Sequence, residues 1–246
     1  MAAAMGCLIL HGFTSSLDCV RPLVPMAELL GMPYRMPVLR GHGTRPEELR
    51  GVQAADWYAD AQRALNELHN EAEQVVVCGL SMGGLLALQL AAEQPTRVGG
   101  IVTIAAALRF VDPLARFSPA LARLVPMSKI DARKAFADQQ LAASSTNYPH
   151  FPTATFVSLY RYTAMVRTLL PQVKAPLLVL HSKRDRVIKP SSAQTIYDEA
   201  GSQRKELHWF ERSGHEMLQD CEAGAVVAAT ESFIRQLRVP VHEAEW

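Results

Sequence analysis

The sequence predicts an α/β architecture, a mainly parallel sheet flanked by helices, on three observations. Short apolar runs recur along the chain, among them GCLIL at 6–10, QVVVC at 74–78 and PLLVL at 176–180. These runs are apolar almost throughout rather than alternating, the pattern of strands covered on both faces. Between them lie stretches of helical length and periodicity, as crossovers between parallel strands require.

In chain order, residues 6–10 read as a strand, 21–30 as a helix and 34–39 as a second strand. Residues 54–70 carry Trp57, Ala61, Ala64, Leu65 and Leu68 on one helical face. Residues 74–78 form the clearest buried strand, followed by a helix over 82–93 that stops near Pro95. GIVTIA at 100–105, PLLVL at 176–180 and ELHWF at 206–210 are further strands, with helices over 191–199 and 223–237. The stretch 109–174 breaks this rhythm. It holds several prolines and helical pieces but no strand signal. The expected organisation is therefore a core of residues 1–108 and 175–246 with a helical insertion, 109–174, folded over the C-terminal edge of the sheet, where open α/β sheets bind ligands. The Leu, Phe, Tyr and Met side chains of that insertion would line an apolar pocket.

Composition narrows the function classes. A chain of 246 residues suits one decorated domain, and 49% hydrophobic with 20% charged residues is a globular composition. The net charge is +1 with no basic stripe, which argues against a nucleic-acid partner. The four cysteines, Cys7, Cys19, Cys78 and Cys221, show no CxxC pair or metal-type spacing, and a reduced, cytoplasmic protein is expected. The apolar N-terminus has no Lys or Arg before Arg21 and runs directly into His11-Gly12-Phe13, so it reads as a strand rather than a signal peptide. No apolar run reaches the roughly 20 residues a membrane span needs. Monomer and homodimer both stay open.

Gly79-Leu80-Ser81-Met82-Gly83 matches G-x-S-x-G between a buried strand and a helix. That is the setting of a nucleophile elbow, in which a serine on a sharp turn needs small residues two before and two after it. The turn puts Ser81 at a helix N-terminus, where developing negative charge is favoured. A serine hydroxyl needs a base, and that base needs an orienting acid. Of eight histidines, His215 lies in a polar loop after the last strand; Asp185 lies in the loop after the preceding strand. Asp112, soon after the strand at 100–105, is the alternative acid. The order Ser81, Asp185, His215 is the order of one serine-hydrolase architecture and not of others. Oxyanion donors are expected from the backbone N–H groups of Met82 and Phe13, with Gly12 allowing close approach. His69 on a helix, His208 on a strand, His150 in the insertion, His181 at a strand end and His242 in the tail read as structural or surface residues, and Asp220 as a surface or helix-capping residue. No phosphate loop or ligand cluster points to a metal, nucleotide or flavin, so no cofactor is expected.

The chain resembles the bacterial carboxylesterase and monoacylglycerol lipase branch of the α/β-hydrolases. The residues that carry the likeness are LHGFTSS at 10–16, LRGHGTRPEEL at 39–49, DW at 56–57, GLSMGG at 79–84, the loop around Asp185 and RSGHEMLQD at 212–220. The resemblance implies an α/β-hydrolase core with a small helical cap inserted before the Asp185 strand. It also implies hydrolysis of short- to medium-chain acyl esters or monoacylglycerols without a cofactor. Two features depart from the pattern. Ser15 stands where many relatives have glycine. Relatives also carry a strand before LHGF, so the sheet is expected to begin at residues 6–10. His42, in RGHG, is expected to hold its loop near the site. The expected activity is a serine carboxylic-ester hydrolase taking a small ester with an apolar acyl chain. The alternatives are the same chemistry on a thioester, an activated amide or a C–C bond, or a ligand-binding sensor on a hydrolase scaffold.

Overall fold

The computed structural model describes residues 3–238. The chain opens with β1 (Ala3–Leu10), and two 3-10 turns lead into α1 (Val24–Leu29). β2 (Tyr34–Arg35), α2 (Ala54–Leu68), β3 (Ala72–Leu80), α3 (Met82–Glu93) and β4 (Val98–Ile104) follow. The next segment holds α4 (Ser118–Leu121), β5 (Met127–Lys129), α5 (Gln139–Ala143), β6 (His150–Pro152) and α6 (Thr153–Leu169). β7 (Leu177–Ser182), α7 (Ser191–Glu199), β8 (Lys205–Phe210) and α8 (Ala223–Leu237) complete it. Among the described residues no helix is long and apolar enough to cross a membrane.

Six strands form one sheet in the order β2-β1-β3-β4-β7-β8, every neighbouring pair parallel. With its helices, this is the α/β-hydrolase architecture. The chain steps outward from β1 to β2, then returns to lay β3 on the other side of β1. The strand order thus reverses between β1 and β3, and the crevice beyond their C-terminal ends is the place such sheets offer a ligand. Period-two alternation splits the strands between two cores. Leu8, Leu10, Val75 and Val77 pack towards α2, α3 and α7. Cys7, Ile9, Val76 and Cys78 pack towards α1 and α8. Helix α3 is buried almost all round, which explains its uniformly apolar sequence. Trp57, fully buried on α2, donates its indole N–H to the Arg40 carbonyl at 3.0 Å and so ties the 39–44 loop to the core.

Three elements differ from expectation. The second strand is two residues long rather than six, because Pro37 has no amide to donate. Beyond it the backbone donors turn to side chains: Leu39 N–H to His11 Nε2 at 3.0 Å and Arg40 N–H to Asp60 Oδ2 at 2.9 Å. The helix expected over 21–30 begins as a 3-10 turn, with Pro22 and Pro25 at its entry, and becomes α-helical only at Val24. The 109–174 segment does contain strands. β5 and β6 form an antiparallel ribbon of three residue pairs, too short to display a periodicity in sequence. In α6, Leu159, Tyr162 and Val166 join the core cluster of α3, and Tyr162 donates its hydroxyl to Gln89 Oε1 at 2.6 Å.

Candidate active site

Between the last residue of β3 and the first of α3 stands Ser81 alone, at φ 56° and ψ −114°. A non-glycine residue there stores about 1–3 kcal/mol, held only where the surroundings over-determine it. Its N–H donates to the Ile104 carbonyl at 2.9 Å, and its carbonyl accepts from Gly84 at 3.0 Å and Ala107 at 3.2 Å. Steric room comes from glycine. A Cβ on Gly79 would lie 2.1 Å from the Gly83 carbonyl oxygen, and one on Gly83 would lie 2.2 Å from that of Leu10.

His215 reaches this elbow from the loop after β8. Its Nε2 lies 3.0 Å from Ser81 Oγ and its Nδ1 lies 2.8 Å from Asp185 Oδ2. A carboxylate can only accept, so Nδ1 carries the proton and Nε2 is free to accept from the serine hydroxyl. Asp185, fixed in the loop after β7, takes the Val187 and Ile188 N–H groups on Oδ1, each at 2.8 Å. Burial alone would raise its carboxyl pKa. The charge of His215 and the close contacts of His215 and His181 more than reverse this and hold it well below the usual carboxylate range. Burial likewise works against a charged His215, but Asp185, by charge and hydrogen bond, carries its pKa above the ordinary imidazole value. The buried His181 approaches Asp185 Oδ2 at 3.3 Å, off the hydrogen-bond direction. Asp112 is not brought to this cluster: it is exposed and caps the Leu114 N–H at 2.8 Å.

The loop after β1 closes over the serine. A Cβ on Gly12 would sit 3.3 Å from Ser81 Cβ, so Phe13 follows directly on a residue in contact with the elbow. Met82 is the first residue of α3, where helix geometry leaves the N–H without an intrahelical partner. Thr14 takes a positive φ of 61°; its N–H donates to His42 Nε2 at 3.0 Å and its carbonyl accepts from Tyr148 N–H at 2.8 Å. Burial lowers the pKa of His42 to about 3 and of His11 to about 4, so both rings are neutral at pH 7 and each can present an acceptor nitrogen to a backbone amide. His42 therefore holds this loop, while His69 ends α2, His150 faces Glu47 at 3.3 Å and His208 stays largely exposed beside Glu206. His242 lies outside the described residues.

Three residues that carry no local signal of a role in the site border it. Asp220 is buried rather than superficial: its carboxylate accepts from Gly214 and Ala137 at 2.6 Å each, Cys221 at 2.8 Å and Asp138 at 3.2 Å. It joins the His215 loop to the 109–174 segment. Glu216 and Asn147 are hydrogen-bonded at 2.7 Å across the same boundary. Contacts between residues this far apart in sequence leave no local pattern to read. Among the described residues no cluster of His, Cys, Asp and Glu is arranged to hold a metal.

Comparison with known proteins follows the same lines. The Hydrolase_4 family profile, described as serine aminopeptidase, S33, matches residues 3–222. The chain is 29% identical to a carboxylesterase of Bacillus subtilis (strain 168), over 94% of this chain and 92% of that protein. It is also 29% identical to a thermostable monoacylglycerol lipase of Bacillus sp. (strain H-257), over 93% and 90% respectively. Among solved structures, one from work on LipS and LipT, two metagenome-derived lipolytic enzymes, superposes with a TM-score of 0.88 at 32% identity, covering 96% of this chain and 95% of the other. The monoacylglycerol lipase of Paleococcus ferrophilus shares the fold, with a TM-score of 0.77 at 17% identity over 96% and 97% of the two chains.

The crowding around the elbow gives a direct expectation. Gly83→Ala forces the β1 end and α3 apart and lowers stability by about 3 kcal/mol or more, or prevents folding. Gly224→Ala on α8, where a Cβ meets nothing within 4 Å, leaves stability unchanged or slightly raised. Urea unfolding of both variants, followed by circular dichroism, checks the contrast.

Proposed function

Because the chain belongs to the serine aminopeptidase S33 family of α/β-hydrolases, we propose that Ser81, His215 and Asp185 are the catalytic triad of its ester-hydrolase activity. The chain is a hydrolase of the esterase and lipase type. The observation that carries the residue assignment is the unbroken chain of contacts from Ser81 Oγ through the imidazole to Asp185, at 3.0 and 2.8 Å.

In this mechanism Ser81 Oγ attacks the ester carbonyl carbon while His215 Nε2 takes the hydroxyl proton. Asp185, held as a carboxylate, keeps the imidazole in the Nδ1–H tautomer and stabilises the imidazolium. The N–H groups of Phe13 and Met82 receive the oxyanion of the tetrahedral intermediate. The intermediate collapses with cleavage of the C–O bond, and Nε2–H protonates the departing alcohol. Water, deprotonated by the same nitrogen, then attacks the acyl-enzyme, and a second collapse releases the acid and restores Ser81.

The substrate we infer is a short- to medium-chain acyl ester or a monoacylglycerol. Its apolar part fits a run of rings leading from Phe13 into the 109–174 segment: Phe13 to Phe151 at 5.3 Å, Phe151 to Phe156 at 5.5 Å and Phe156 to Phe110 at 5.0 Å between centroids. In this proposal residues 1–108 and 175–246 are the hydrolase core and 109–174 the cap that supplies this wall. A reducing, cytoplasmic setting suits four cysteines that are all unpaired. The family's description favours a second reading, cleavage of an amide by the same triad.

Rates on p-nitrophenyl esters of increasing acyl length, on monoacylglycerols and on aminoacyl p-nitroanilides separate these readings. Ester turnover is expected to peak at short to medium chains, exceed anilide turnover, and fall by about 10⁴-fold or more in Ser81→Ala with the fold intact. Faster anilide turnover would favour the peptidase reading. The proposal also fixes the sign of the pH dependence. Free His215 must be neutral to act as base, and its pKa is raised, so kcat/KM falls as pH drops through a midpoint above 6.5. A pH profile with no acid limb contradicts the assignment.

A further inference from the structure

Glu216 is a buried carboxylic acid next to His215 that the mechanism above does not use. Its Oε1 accepts from Asn147 Nδ2 at 2.7 Å, while its Oε2 is buried without a partner. An unsatisfied buried oxygen costs about 1–3 kcal/mol, so its presence beside the base invites a functional explanation. The other face of the same amide is occupied too: Ser15 Oγ donates to Asn147 Oδ1 at 2.7 Å. Ser15 follows Thr14 in the loop that carries Phe13. One amide from the 109–174 segment therefore joins the loop of the base to the loop assigned the oxyanion donor.

The surrounding backbone follows the same path. Glu216 N–H donates to the Ala135 carbonyl at 2.9 Å, and Tyr148 N–H donates to the Thr14 carbonyl at 2.8 Å. The Tyr148 hydroxyl accepts from Thr44 N–H at 2.9 Å and donates to the Gly41 carbonyl at 3.2 Å, adding the loop of His42. The stretch from Ala135 to Tyr148 thus touches the loops of His215, Phe13 and His42.

We propose that Ser15, Asn147 and Glu216 form a positioning relay through which the 109–174 segment sets the Phe13 loop against the imidazole of His215. This rests on the assignment of Ser81 and His215 given above. The relay has a direction. In the structure Ser15 donates and Glu216 accepts, and a side chain with one acceptor and one donor fits between them. Displacement of a catalytic group by about 1 Å costs up to about 10²-fold in rate, so a hydrogen bond remote from the substrate can govern kcat.

The direction makes the relay testable by charge swap. Burial raises the Glu216 pKa, so the assay is run at the alkaline end of the profile. There Asn147→Asp, isosteric with the parent, sets a second carboxylate against an ionised Glu216, and kcat should fall about tenfold or more with KM within about threefold. Glu216→Gln alone keeps an acceptor for Asn147 and serves as the reference for the double variant. Adding Glu216→Gln to Asn147→Asp supplies a donor to the new carboxylate and should restore kcat to within about threefold, a rescue that a space-filling role would not produce. Should Asn147→Asp fail to fold, Asn147→Ala at this half-buried site must still lower kcat about tenfold. Unchanged kcat in Asn147→Asp or Asn147→Ala, or no rescue in the double variant, overturns the relay. Ser81→Ala, run alongside, separates the two claims: turnover surviving in it sinks the triad assignment whatever the Asn147 variants do.

Discussion

One backbone conformation organises this molecule: the left-handed φ of Ser81 at the junction of β3 and α3. A strand and a helix meet there with no intervening loop, so the serine side chain must project from a turn too sharp for ordinary residues. The cost is local and the support is distributed. Ile104, Gly84 and Ala107 fix the peptide groups of Ser81 from β4, from the first turn of α3 and from the segment after β4. Gly79 and Gly83 let β3, α3 and the end of β1 come closer than any Cβ would permit. The strand order places this junction beside the point where the sheet reverses direction, so the loops after β1, β7 and β8 all open towards it.

Those loops are held by polar contacts as well as by the burial of Ile188, Met217 and Leu218. Two histidines kept neutral by burial, His11 and His42, offer acceptor nitrogens to the amides of Leu39 and Thr14. Two buried acids, Asp220 and Glu216, link the His215 loop to residues 135–147. A site built this way resists small displacements, because each loop answers to hydrogen bonds of fixed geometry rather than to sliding apolar contact. The 109–174 segment takes part in that bracing at one end and joins the core through α6 at the other.

What was legible in sequence followed physical range. The four central strands β1, β3, β4 and β7 announced themselves because burial on both faces leaves continuous apolar runs, and the elbow because its glycines must stand two residues either side of Ser81. Asp185 and His215 could be named from their positions after successive strands, and the structure brings both to Ser81. Three features were hidden. Strand β2 is shorter than its sequence suggests because Pro37 has no amide to donate and the amides of residues 39 and 40 bond to side chains from other parts of the chain. The β5–β6 ribbon is too short to carry a period. Asp220 looked like a surface charge, since nothing local shows that the Ala137 and Asp138 amides, more than 80 residues earlier in the chain, converge on it.

The most direct measurement is covalent: incubate the protein with a fluorophosphonate, digest it and locate the adduct by mass spectrometry. The account predicts rapid, stoichiometric phosphonylation confined to the peptide containing Ser81, since only a hydroxyl in contact with a base attacks phosphorus at an appreciable rate. No adduct, or an adduct on a different residue, would contradict it.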